Sequence, residues 1–189
     1  VGRRMLPLHA AILSGVSSDT IQVLVDAFPA SCAIPCVDVD GTQRLPLELA
    51  LGSAANVDVL RLLCRAYKQA ICLPLSTRSD YPFPLHAALA HGCDVAVIAE
   101  LLSTDVEKHI RGATTHRLGV ATGMYHSTTK RGAEIAQVSD MQGRLPLHIS
   151  LHCRAKAESI RLIMQAYPEA VKVFDSSGML PVHIALGNG

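Results

Sequence analysis

The sequence predicts an all-α chain, a solenoid of about five helix-turn-helix repeat units carrying one long insert. Three observations lead there. The tetrad Leu-Pro-Leu-His recurs in five close copies, at residues 6–9, 45–48, 83–86, 145–148 and 180–183. Counted from Pro7 through Pro46, Pro84 and Pro146 to Pro181, the steps are 39, 38, 62 and 35 residues, three near one period and one lengthened by the insert. Behind the first, second and fourth tetrads the apolar residues fall at i, i+3, i+4 and i+7, the spacing of one helical face, and they do so in register.

The elements of a unit follow in order. Pro7, Pro46, Pro84, Pro146 and Pro181 each open a first helix, because proline at the first helical position has a preset φ and gives up only an N–H that would lack an intrahelical partner. Ala10, Ala11, Leu49, Ala50, Ala87, Ala88 and Ala185 make this helix mostly small enough for close packing. A break near Gly15 or Gly92 turns the chain into a longer second helix. There Ile21, Leu24, Val25 and Phe28 correspond to Leu60, Leu63, Cys64 and Tyr67, and to Ile160, Ile163, Met164 and Tyr167. In the third copy Ile98, Leu101 and Leu102 keep the pattern, but Asp105 stands in the aromatic position and shortens the helix. Pro29 and Pro168 stop the second helix, since the ring blocks the next turn. Residues 140–143 and 175–178 place Asp first and Gly fourth, a type I turn signature. A unit of this size cannot bury its apolar face alone, so stacking makes the core.

With PLHAA at 7–11, PLELA at 46–50, PLHAA at 84–88, PLHIS at 146–150 and PVHIA at 181–185, the chain resembles the ankyrin repeat family. The resemblance implies a solenoid that binds proteins, with the motif histidine bonded to adjacent loop backbone. Three features depart from the family. Leu6, Leu45, Phe83, Leu145 and Leu180 replace its capping Thr, a loss that typically costs about 0.5 to 2 kcal/mol per helix, so another group must serve those N–H donors or burial must offset them. The period is longer, and Glu48 replaces one histidine.

Composition narrows the function classes. Of 189 residues 49% are apolar and 17% charged, below the roughly 25% of an average domain, so core material is ample. Seventeen Lys and Arg against sixteen Asp and Glu leave +1, which gives no global attraction to nucleic acid or an anionic membrane. The longest run without a charged residue is 14, short of the roughly 20 that a membrane helix needs. The six cysteines read as reduced and mostly buried thiols of a cytoplasmic or nuclear protein, because disulfide frameworks belong to small, core-poor secreted domains. The chain opens on Val1 with no leader pattern and reads as an excerpt of a longer polypeptide. Repeats 1–3 occupy residues 1–103, the insert loop 104–138, and repeats 4–5, the last incomplete, 139–189, all one continuous domain.

His9, His86, His148 and His183 recur at one position, but a rise of about 10 Å between units separates them too far to share a metal. Cys32 with Cys36 offers half a zinc site without a second pair. In the insert, His109, His116 and His126 match no ligand spacing, and its basic residues exceed its acidic ones by only two. No phosphate loop, H-E-x-x-H or G-x-S-x-G is present. The sequence therefore gives no catalytic residue, cofactor or metal. It predicts a protein-binding scaffold that uses the concave first-helix wall and the inter-unit loops; the alternative is a regulatory or targeting segment of a larger enzyme such as a kinase or ubiquitin ligase. Equivalent solvent-facing positions form one row of Leu13, Gly52, Ala90 and His152, and another of Ser14, Ser53, His91 and Cys153. From these and the loops, the predicted contact residues are Arg4, Gln43, Arg44, Arg78, Tyr81, His91, Gln142, Arg144 and His152, since Arg and Tyr are over-represented at hot spots.

Overall fold

The tetrad prolines start helices in all five units. A computed structural model describes residues 4–37, 41–53, 55–76, 79–102 and 132–187. In chain order the helices are α1 (Pro7–Leu13), α2 (Ser18–Ala27), α3 (Pro46–Gly52), α4 (Val57–Ala66), α5 (Pro84–Ala90), α6 (Val95–Leu102), α7 (Gly132–Ile135), α8 (Pro146–His152), α9 (Ala157–Ala166) and α10 (Pro181–Gly187). The described chain is mostly helical. Helices α1, α3, α5, α8 and α10 pack in series, as do α2, α4, α6 and α9, and each of α1, α3, α5 and α8 lies on the helix that follows it in its own unit.

The apolar register sets this packing. Ile21, Val25, Leu60, Leu63, Cys64, Ile98, Leu101 and Ile163 are buried on the second helices, and Leu8, Leu47, Leu85 and Leu147 on the first. Inter-unit ion pairs add to it at the surface, with Arg65 of α4 on Glu100 of α6 at 3.3 Å and Lys156 on Asp94 at 2.9 Å. Polar caps begin α2, α4 and α6: Ser17 accepts from the Thr20 N–H, Asn56 from Asp58 and Asp94 from Ala96.

In α1, α8 and α10 the motif histidine serves the N-cap N–H in place of the missing Thr. His9 stands third in α1, and its Nδ1 accepts from the Leu6 N–H at 2.9 Å. The same bond joins Leu145 to His148 at 3.1 Å and Leu180 to His183 at 3.0 Å. Because Nδ1 accepts, Nε2 carries the proton in His9 and His148 and donates to a carbonyl, Ile34 at 2.9 Å and Val173 at 3.1 Å. One imidazole thus ties the start of a unit to its exit.

This tie also measures the insert. The separation is 25 residues from His9 to Ile34 and from His148 to Val173, but 52 from His86 to Val138, so the third unit carries 27 extra residues. The insert boundary read at Val138 needs correction. Residues 132–135 are helical, and Ile135, Ala136 and Val138 are buried, so its last residues belong to the packed body. His109, His116 and His126 lie outside the described residues.

Helices α2 and α9 stop at Phe28 and Tyr167 before Pro29 and Pro168, and α4 stops at the matching Tyr67 although Lys68 follows. In all three the aromatic residue takes φ between −139° and −147°, and a short 3-10 turn follows, at Pro29–Ala33, Lys68–Cys72 and Pro168–Lys172. The chain also pairs as strand once among the described residues, where β1 (Cys36–Val37) and β2 (Gln43–Arg44) run antiparallel and Arg4 bridges to Val37.

The Asp-to-Gly turns form as expected. Asp140 and Asp175 each accept through Oδ1 from the backbone two and four residues on, and the glycine closes the turn onto the Asp carbonyl at 3.0 Å. At Gly143, φ is +70°, and a Cβ there would meet the Ser176 Oγ at 2.6 Å, since the Ser176 N–H donates to the Gln142 carbonyl where adjacent loops touch.

Candidate functional site

Of the row that holds Leu13, Gly52 and Ala90, the first two line a groove. Gly52 closes α3 in helical conformation, and a Cβ added to it would meet nothing within 4 Å. Leu13, 47% exposed, stands at the equivalent point of α1 and makes one wall. Leu75, Ser76, Ser79 and Tyr81 make the other, with the Leu75 N–H donating to the Pro82 carbonyl, the Ser79 N–H to the Ser76 carbonyl and the Tyr81 N–H to the Ser79 Oγ. Tyr81 then meets the His91 ring edge-on at 5.9 Å. Between these walls lies a groove of about 280 Å³, with Leu49, Leu51, Leu75 and Ala87 as its apolar lining and Arg44, Glu48, Ser53, Ser76 and Ser79 as its polar lining.

Glu48 occupies the motif-histidine position of the second unit. The carboxylate does not repeat the 25-residue tie; both its oxygens accept from the Ser76 N–H at 3.2 Å, and Oε1 also accepts from the Ser76 Oγ. Burial pushes its carboxyl above the usual range, opposed by the Ser76 hydrogen bonds and the nearby Arg44 charge. Burial likewise raises the Tyr81 phenol. Ser53 Oγ donates to the Ala50 carbonyl at 3.3 Å.

Of the predicted contact residues, the groove brings together Arg44, Tyr81 and His91. Arg4 and Gln43 sit on the small β element at one side and do not line it. Gln142 and His152 are exposed and do not line it. Arg144 is engaged within the fold: its Nε and a terminal nitrogen both bond the buried Asp140 carboxylate at 2.8 Å, which in turn holds the loop. Arg78 lies outside the described residues. Gly52 and Ser53, from the two solvent-facing rows, line the groove, as do Glu48, Ser76 and Ser79, which were not among the predicted contact residues. The departure of Glu48 from the motif was the available signal.

The other clusters are structural. His86 is wholly buried and bonds the Val138 carbonyl at 2.9 Å, while its Nδ1 has no partner among the described residues. Burial pushes this imidazole down to about 4. Burial also raises the thiols, Cys64 to about 12 and Cys72 to about 11, which makes them poor nucleophiles. Among the described residues no three His, Cys, Asp or Glu side chains gather to hold a metal ion, and no helix is long and apolar enough to cross a membrane. No protein-family model matches the chain, and no curated protein matches it significantly.

Proposed function

We propose that the chain is an ankyrin-like solenoid acting as a non-catalytic scaffold, which binds a segment of a protein partner on its first-helix wall and inter-unit loops. The groove at Gly52 is the observation that carries this reading. It joins residues from three successive units, lies open to solvent, and combines an aromatic pair with separate polar and apolar linings, the mixture that suits a side chain of a protein. Two features support the ankyrin-like part. The motif histidine makes the same pair of bonds in the first and fourth units, and the helices pack in two parallel series. The buried, high-pKa thiols suit a reducing compartment, cytoplasmic or nuclear.

The test is capture of partners by the wild-type chain, by Gly52→Leu and Tyr81→Ala, and by Glu158→Ala on the exposed surface of α9 as control. A Cβ at position 52 would meet nothing within 4 Å, so Gly52→Leu should extend into the groove and circular dichroism should show an intact fold. A partner lost with the first two variants and kept by the control supports the reading. A partner retained by Gly52→Leu sinks it.

A further inference from the structure

We infer that the groove at Gly52 receives a lysine or arginine side chain of the partner, with the Glu48 carboxylate as its anchor. The inference rests on the scaffold reading and specifies its chemistry. Glu48 is the sole carboxylate among the described lining residues, and Leu49, Leu51, Leu75 and Ala87 line the same groove.

The hydrogen-bond inventory gives the groove its direction. A carboxylate has about four acceptor sites, and the described donors to Glu48 are the two that Ser76 supplies. The Ser76 hydroxyl has given its hydrogen to Glu48, and the Ser53 hydroxyl has given its own to the Ala50 carbonyl. Both therefore offer lone pairs to a ligand. A carboxylate flanked by two hydroxyl oxygens in this state is an acceptor-rich set, and the matching ligand is a multi-donor cation. An ammonium has three donors and a guanidinium five, neither with an acceptor.

The apolar lining fits the rest of such a side chain. Lysine and arginine carry their charge on a stem of three or four methylenes, which buries well against surface like that of Leu49 and Leu75 while the head reaches polar groups. A Tyr81 ring at the wall adds a face or edge for a guanidinium to lie against. Arg44 lines the same groove four residues before Glu48, and its charge helps keep that carboxylate ionised. It also supplies the discriminating control: a cationic ligand is repelled by Arg44 and held by Glu48, whereas an acidic ligand reverses both roles.

The experiment titrates the ¹⁵N-labelled full chain with four capped peptides, acetyl-Ala-X-Ala-amide with X as Arg, Lys, Glu or Leu. Arg and Lys peptides should shift the Gly52, Ser53 and Ser76 amides more strongly than Glu or Leu. Glu48→Gln should weaken that response about tenfold, the scale of one lost charge-assisted hydrogen bond. Arg44→Ala should leave it equal or stronger, and Gly52→Leu should abolish it while the remaining amides keep their dispersion. The inference is overturned if the Glu or Leu peptide gives the larger response, if Arg44→Ala and not Glu48→Gln loses it, or if none of the peptides moves these amides. The scaffold reading is judged separately, by partner capture with Gly52→Leu.

Discussion

Replacing His86 with glutamine removes a buried titrating group while leaving a side-chain N–H able to reach the Val138 carbonyl. Burial, the largest influence, takes the imidazole from its ordinary 6.5 to about 4, against weaker opposition from the Val138 hydrogen bond and the Asp140 charge. As pH falls the unfolded chain takes up this proton first, so the folded state is penalised. The contribution of neutral His86 is therefore complete above about pH 6.5 and is lost as pH drops from there through 4. For these two values the loss between pH 7 and pH 5 is about 2 kcal/mol, or about 4 to 8 °C in Tm for a chain of this size. The physical reason is local: a second N–H on the ring would need an acceptor at Nδ1, where the described residues supply none. Urea melts followed by circular dichroism at pH 7, 6 and 5 should show the wild type losing about 2 kcal/mol more than His86→Gln. His9, lowered by burial, and Glu48, raised by burial, titrate in both proteins and cancel from the comparison. Equal losses, within about 0.5 kcal/mol, would show that the buried imidazole is not held neutral and would refute the reasoning.

Three other substitutions test the packing and the turns. Leu63 is 1% exposed in the middle of the second-helix series, so Leu63→Ala should destabilise by about 2 to 5 kcal/mol in denaturant melts, with little change in m. Arg154 holds φ +53° where Gly15 and Gly92 hold +65° and +67°, so Arg154→Gly should raise stability by about 0.5 to 1 kcal/mol, read as a higher Tm. Gly143→Ala should lower stability by at least about 1 kcal/mol, because the new methyl meets both strain at φ +70° and the Ser176 backbone at 2.8 Å; hydrogen exchange should speed at the Ser176 amide.

The helix register was legible because four copies of the second-helix pattern constrain one another. A lone run such as Ile21, Leu24 and Val25 is ambiguous, but its repetition at Leu60, Leu63 and Cys64 marks the face that packs. That the motif histidine partners loop backbone was an implication of the ankyrin resemblance. Its capping of the Leu6 and Leu145 N–H groups was not legible, since that bond depends on side-chain direction in the first turn. The β1–β2 pair escaped because two-residue strands carry no alternation to read. The end of the insert escaped because Ile135 and Val138 follow residues that align with no other unit, and the 52-residue tie that assigns them exists only in space.

The groove was half legible for a related reason. Gly52 could be aligned, and its missing side chain follows from its identity, but the opposite wall comes from the loop between the second and third units, whose length matches no other. That loop and Glu48 are linked. In the histidine units the tie runs to a carbonyl 25 residues on; in the second unit the carboxylate takes an N–H and a hydroxyl 28 residues on. A histidine Nε2–H needs an acceptor, and a carboxylate needs donors, so exchanging His for Glu reverses the polarity of the tie and selects a different loop residue to close it. The shift places Ser76 and Ser79 beside the space that Gly52 leaves open. The position at which the repeat departs from its own motif is therefore also the position at which the groove gains its carboxylate.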